Sequence, residues 1–373
     1  MPSDASTALL TGYPSFVARR MAEQILREEN NTLLYCVVKN KLAALAEEMA
    51  SALPASQRSR LVMMEGDAAA MDLGLSGAEF REVSSRIDRI FQFAQVTYVD
   101  ADPKLAHYVN VDGAREALEL ARSSPRLRNL ICLSSAAVSG ARTGLVRESD
   151  PPAGPPYRTI IEETLAHGER ILRRAAHRVP LTLLRPSIVI GDSQTGEVDR
   201  FDGPYPLILL LLNSPANTAV PLPVQGDLPL NLVPVDFLIR AAHAIGSSPD
   251  SVGRTFHIVD PAPLSSRRVF ELIAHAAGRR SPRGFVPSYL ARSMIHAPGI
   301  ERVVKSPRAF LELLTVDVRF DTKNTSEILR GTGITCPPFE SYVDQIVGYV
   351  QSRIRERRRK HDVEAQFADD PLS

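Results

Sequence analysis

Residues 8–27 read ALLTGYPSFVARRMAEQILR, and this stretch decides the fold. Ala8 to Thr11 is a short apolar strand that stops at Gly12. From Phe16 to Arg27 the apolar residues Phe16, Val17, Met21, Ile25 and Leu26 recur at helical spacing, which gives strand, glycine turn, helix. Outward from it the alternation repeats. Strands are expected at Leu33 to Val38, Leu61 to Met64, Ile87 to Ala94, Leu130 to Ser134 and Leu181 to Leu184. Helices are expected near Leu42 to Ala52, Leu105 to Arg122 and Thr159 to Arg174. Strands spaced by helices imply a doubly wound parallel sheet covered on both faces, an α/β fold of Rossmann type. After Gly191 the pattern loosens into Pro- and Gly-rich segments, Gly203 to Pro206 and Pro221 to Pro229, mixed with helices at Val235 to Ala244 and Ser266 to Ala277. The expected organisation is a nucleotide-binding domain over 1–200, a smaller substrate-side region integrated with it over 201–347, and a helix end with a disordered tail over 348–373. The tail begins in the basic run Arg353 to Lys360.

The composition narrows the function. In 373 residues there are 44 Lys+Arg against 43 Asp+Glu, with 44% hydrophobic residues. No global positive field exists to gather nucleic acid or anionic lipid. The longest apolar run, Leu207 to Leu212, is far below the roughly 20 residues that span a bilayer. The N-terminus has no basic region before an apolar stretch, so a cytoplasmic location is expected. Cys36, Cys132 and Cys336 are far apart with no C-x-x-C, which suggests neither disulfides nor zinc. The eight histidines show no ligand spacing, so no metal site is expected. His257, in the strand-like FHIVD, reads as a structural histidine.

A dinucleotide turn wants small residues where the chain curves, where it nears the pyrophosphate and where helix packs on strand. Gly12, Ser15 and Ala18 hold those positions, and the helix start at Phe16 offers unpaired N–H groups to an anion. Lys39 follows the second strand, where NAD-binding chains carry an acidic residue for the ribose hydroxyls. A cation there favours the extra phosphate of NADP, the alternative being a solvated loop charge. Asp67 follows the third strand, either accepting from an adenine amine or capping a turn.

With these residues the chain resembles the extended short-chain dehydrogenase/reductases, in particular their thioester-reductase and fatty-acyl-reductase, male-sterility-type branch. The resemblance runs from about residue 8 to 347. It is carried by TGYPSF at Thr11, YCVVK ending at Lys39, GD with DLGLS at Asp72, FQFAQVTY at Phe91, NVDG at Asn110, LSSAAVSG at Leu133 and RPSIVIGDSQTGEVDRFDGPY from Arg185. It implies NADP(H) as cofactor, held by Thr11, Gly12, Ser15, Phe16, Lys39, Asp67, Phe93, Ala94, Leu133, Pro186 and Ile188. It implies an acyl thioester or other small apolar carbonyl compound as ligand. Ser135 matches the Ser/Thr that bonds the substrate carbonyl, and Asn110 the helix asparagine that shapes the site.

Family members also place a Tyr on the next helix to protonate the carbonyl oxygen, and a Lys one turn later to lower its pKa and hold the nicotinamide ribose. Aligning IIEETLAHGERIL with that pattern puts Ile161 at the Tyr position and Leu165 at the Lys position, with Thr164 and Glu169 retained. Tyr157, one turn earlier, is the nearby phenol. No lysine lies between Lys104 and Lys305, and a guanidinium cannot relay a proton near neutral pH. The two aliphatics either form a dry wall for an acyl chain or nicotinamide, or fill the space of a disused site. Three readings follow: a catalytically impaired NADP(H)-binding or regulatory protein; an active reductase drawing its proton from water or a displaced Tyr157; and an interaction protein with a vestigial cleft, pairing with its own kind or with an active paralogue.

Overall fold

A computed structural model describes residues 6–98, 101–213, 226–282, 284, 314 and 316–368. The chain divides into two compact units. One comprises 1–189, 235–261 and 316–336, the other 190–234, 262–315 and 337–373.

The first unit is built on seven parallel strands: β1 Thr7–Thr11, β2 Leu33–Val38, β3 Leu61–Glu65, β4 Arg89–Gln92, β5 Asn129–Leu133, β6 Leu181–Pro186 and β7 Thr255–Ile258. They run in the order β7-β6-β5-β4-β1-β2-β3, each paired parallel to its neighbours. β1 pairs Thr11 with Val37 on one side and Leu10 with Phe91 on the other. The strand order reverses at β1, and in open α/β sheets the ligand crevice lies beyond the strand ends at that switch point. Gly12 therefore sits where the fold places its ligand. The strand sequences LLYCVV and NLICL are apolar on both faces because helices cover both sides. Cys36 and Cys132 lie in this core, where burial pushes both thiols up.

Helix α1 spans Phe16–Glu28 and α2 Ala43–Ser51. Next comes α3, Gly77–Arg86, a crossover helix that the periodicity reading missed. Its signal was present as a capping box: Ser76 accepts from the Glu79 N–H, and the Glu79 carboxylate accepts from the Ser76 N–H. The expected helix Leu105 to Arg122 is three pieces: α4 Pro103–His107, a π turn Tyr108–Asp112, and α5 Gly113–Arg122. Helix α6, Ile160–Ala175, starts at a Thr159 cap that accepts from the Glu162 N–H at 3.1 Å. Acids in its first turn and Arg173 and Arg174 in its last suit the helix dipole. Helix α7, Val235–Ser247, returns to this unit and leads into β7.

In the second unit the helices Tyr205–Asn213, Ser266–Ala276 and Val343–Ala368 pack on one another. The first of these contains the apolar run that the sequence reading left unassigned. The basic run Arg353 to Lys360 is part of the last helix, and 369–373, like 221–225 of the Pro221 to Pro229 segment, lie outside the described residues. Among the described residues no helix is long and apolar enough to cross a membrane, and no group of His, Cys, Asp or Glu could hold a metal ion.

Candidate active site

At the end of β1 the Thr11 hydroxyl donates to Gln92 Oε1 at 2.7 Å and accepts from the N–H groups of Phe93 and Ala94 at 3.0 and 3.1 Å. That uses its full bonding capacity. Thr11, Phe93 and Ala94 thus clamp the β1 and β4 ends together, with no Thr11 side-chain bond left for a ligand. Gly12 follows at φ +91°, and a Cβ there would stand 2.9 Å from the Ala94 nitrogen, so only glycine fits. The Ser15 N–H returns to the Gly12 carbonyl at 2.8 Å and opens α1. Ser15 is exposed, and its hydroxyl makes no bond to the helix end it caps. Ala18 is fully buried, and the Phe16 ring carries the Arg19 and Arg20 guanidiniums at 5.7 and 5.9 Å. A tight turn, an open helix N-terminus with nearby cations, and a small residue at the packing position fit a pyrophosphate.

Two strands away, Lys39 and Asp67 come together. Lys39 Nζ lies 2.9 Å from Asp67 Oδ2, and 5.5 Å over the Tyr108 ring, whose hydroxyl donates to the same oxygen at 3.2 Å. Tyr108 was not foreseen; only its position two residues before Asn110 pointed to it.

Asn110 sits in the π turn with both amide N–H groups and one oxygen lone pair used. Its Oδ1 accepts from the Val96 N–H, and its Nδ2 donates to the Val96 carbonyl, each at 2.9 Å, and to Thr164 Oγ1 at 3.0 Å. It ties the segment after β4 to α6. Gly168 lets α6 come this close, since a Cβ there would stand 2.3 Å from the Asn110 carbonyl oxygen. Ser135, just past β5, is half-buried and accepts from the Ala137 N–H at 3.1 Å, leaving its own proton for another acceptor. Leu133 gives its carbonyl to Gln95 Nε2 at 2.7 Å. Pro186 ends β6 opposite Ile258, with Ile188 two residues on. Between them the Ser187 hydroxyl is buried without a hydrogen-bond partner among the described residues. The sequence reading passed over it because its two neighbours carried the motif.

Beneath the serines lies a charged network. Glu169 accepts from Ser134 Oγ at 2.6 Å, from Arg173 Nε at 2.6 Å, and from Arg185 Nη2 and Nε at 2.5 and 3.0 Å. Burial pushes the Glu169 carboxyl up, but the Arg185 and Arg173 guanidiniums and the Ser134 bond hold it below the ordinary range. Arg185 reaches His257 Nε2 at 3.5 Å, and His257 Nδ1 meets the Asp321 carbonyl at 2.8 Å. Burial, opposed by that carbonyl and aided by Arg185, takes His257 down to about 4.

Where the resemblance implies a phenol and an ammonium, α6 carries two buried aliphatic side chains. Ile161 and Leu165 are 5% and 4% exposed and pack with Val96, Ala106, Val138 and Ala166. Tyr157 flanks this cluster, and its ring is met edge-on by His167 at 5.9 Å. The Tyr157 hydroxyl donates to the Ala153 carbonyl at 3.3 Å and accepts from Arg170 Nη2 at 2.5 Å. Among the described residues it makes no bond to Ser135. A cavity of about 20 Å³ lies between Leu165, Ser134, Gln95 and Asn110.

Residues 10–242 match the family described as male sterility protein, one of the NAD-binding domain families. The chain belongs to this family. Male sterility proteins share their fold with the extended short-chain dehydrogenase/reductases, and a nicotinamide dinucleotide fits the turn at Gly12. The chain is 26% identical to a linear gramicidin synthase of Brevibacillus parabrevis over 278 residues, which is 70% of this chain and 5% of that protein. It is 22% identical to fatty acyl-CoA reductase wat of Drosophila melanogaster, covering 62% of this chain and 52% of that one. The chain therefore spans only part of these curated relatives. Among solved structures, the terminal R domain of the myxalamid PKS-NRPS pathway superposes with TM-score 0.80 at 24% identity, over 95% of this chain and 92% of that one. The reductase domain of a nonribosomal peptide synthetase from Mycobacterium tuberculosis superposes with TM-score 0.67 at 19% identity, over 93% and 91%.

Proposed function

We propose that this male sterility family member binds NADP(H) and an acyl thioester or similar carbonyl ligand without reducing it by the Tyr–Lys route, and so acts as a binding or regulatory protein. The packing of Ile161 and Leu165 carries the reading. Neither side chain has a proton to give, and the adjacent phenol of Tyr157 is spent on Ala153 and Arg170. Loss of a positioned general acid forfeits about 10²- to 10⁴-fold in rate. The bound dinucleotide would supply hydride chemistry. Gly12, Ser15 and the start of α1 would take its pyrophosphate, and Lys39 its 2′-phosphate. Ser135 keeps a free proton and would hold the ligand carbonyl, and Leu165 lines the small cavity beside Ser134.

The test is NADPH fluorescence titration, then incubation of protein and NADPH with acyl-CoA and acyl-pantetheine thioesters. Saturable binding with NADPH consumption at the no-protein rate is expected. Aldehyde or alcohol formation that disappears in Ser135→Ala would overturn the impaired reading. That outcome would favour the active one, in which a water in the cavity beside Leu165 gives the proton, since about 20 Å³ holds one water.

A further inference from the structure

We infer that Asp67 sets the cofactor preference of this site by competing with the 2′-phosphate of NADP(H) for Lys39. The inference rests on the cofactor reading above and deepens it. A lysine at the end of β2 predicts selection of the phosphorylated cofactor, yet Lys39 already has an anion 2.9 Å away. Two donors converge on that one oxygen, the Lys39 ammonium and the Tyr108 hydroxyl.

The partners differ in mobility. Asp67 is held by its surroundings: its N–H donates to the Leu73 carbonyl at 2.8 Å, and its Oδ1 accepts from the Ala69 N–H at 3.1 Å. The loop that does this keeps Asp72 and Leu73 at φ +53° and +59°, left-handed conformations that non-glycine residues rarely adopt, and it presses the Leu73 carbonyl against Gly66. Lys39 is a flexible four-carbon stem carrying a point charge. The carboxylate is therefore the fixed element and the ammonium the moving one.

With side chains 33% and 28% exposed, the pair is open to solvent and individually weak, so a phosphate dianion can take Lys39. It must then lie beside an uncompensated carboxylate, or share the ammonium with it. NAD(H) brings no phosphate dianion to this pair and meets no such penalty. The two effects oppose, and the wild type is expected to bind NADPH and NADH within about tenfold of each other. When the carboxylate is removed, the Tyr108 ring face still holds the ammonium in place. Preference for the phosphorylated cofactor should then rise.

The test is fluorescence titration of NADPH and NADH into wild type, Asp67→Asn, Lys39→Ala and the double variant. Calorimetry with 2′,5′-ADP and 5′-ADP runs in parallel and needs no nicotinamide half. Asparagine keeps the acceptor for the Ala69 N–H, so the loop is preserved. The expected result is a rise of about tenfold or more in the NADPH-over-NADH ratio for Asp67→Asn, with the rise absent when Lys39 is also removed. An unchanged ratio in Asp67→Asn, or a rise that survives loss of Lys39, would overturn the inference. If neither nicotinamide cofactor binds wild type, the cofactor reading falls by itself and the fragments decide. A larger 2′,5′-ADP over 5′-ADP preference in Asp67→Asn than in wild type supports the competition, and equal preferences refute it.

Discussion

Acidification should drain part of the stability through one buried imidazole, His257. Its Nδ1 lies 2.8 Å from the Asp321 carbonyl and so carries the proton of the neutral ring, leaving the Nε2 lone pair towards Arg185 at 3.5 Å. A second proton would have to enter between ring and guanidinium, with the ring fully buried. Burial first, and then Arg185, bring the group from 6.5 to about 4. The unfolded chain therefore takes up this proton before the folded one does. The contribution is fully present above pH 6.5 and is lost as pH falls from there towards 4. A difference of about 2.5 pKa units corresponds to roughly 3 kcal/mol, with a slope near 1.4 kcal/mol per pH unit inside the window. The assay is urea unfolding of wild type and His257→Asn at half-unit steps from pH 7.5 to 4. Asparagine keeps the donor to Asp321 but cannot titrate. Groups common to both proteins cancel in the difference, so the wild-type advantage should shrink by about 3 kcal/mol across the window. Parallel profiles would show that His257 titrates as an ordinary histidine and would refute the packing argument.

Glu169→Gln should lower stability by about 3–5 kcal/mol, because Arg185 would be left as a buried cation without its anion. Thermal denaturation checks it, and adding Arg185→Met should restore part of the loss; strict additivity would contradict the pairing. Gly12→Ala should weaken NADPH binding about tenfold or more, since left-handed strain alone is worth roughly 1–2 kcal/mol and the new Cβ meets the Ala94 nitrogen. Titration with an unchanged dissociation constant would count against the turn as the pyrophosphate site. Thr11→Val should cost about 1–3 kcal/mol by leaving Gln92 and the Phe93 and Ala94 amides short of a partner, seen as a lower unfolding midpoint.

The sheet was legible because its strands are apolar on both faces and stop at turn residues; Leu33 to Val38 was placed to the residue. Helix α3 was not, because its core-facing residues are few, Val83 and Ser84 being its buried ones. A periodicity count passes over such a helix, whereas the Ser76–Glu79 cap marks it. The π turn at Asn110 was illegible since it depends on side-chain bonds to Val96, distant in sequence. At the candidate site, the strand–turn–helix pattern pointed to Gly12, and the family resemblance to Ser135, Ile161 and Leu165. What the sequence could not show was occupancy: that the Thr11 hydroxyl is taken by Gln92 and two backbone amides, that Asn110 is tied to Val96 and Thr164, and that Lys39 is held by Asp67. Those facts arise from contacts between segments distant in sequence, which one-dimensional spacing does not carry.

The most direct measurement compares NADPH oxidation by wild type and by Ile161→Tyr/Leu165→Lys, with an acyl thioester, at equal folded concentration. On the proposed reading, placing a phenol and an ammonium on adjacent turns of α6 should lift the rate by about 10²- to 10⁴-fold over a wild type that stays at the uncatalysed baseline. A wild type already turning over, at a rate the double change does not raise, would contradict the proposal that α6, with Ile161 and Leu165, offers no group to protonate a carbonyl.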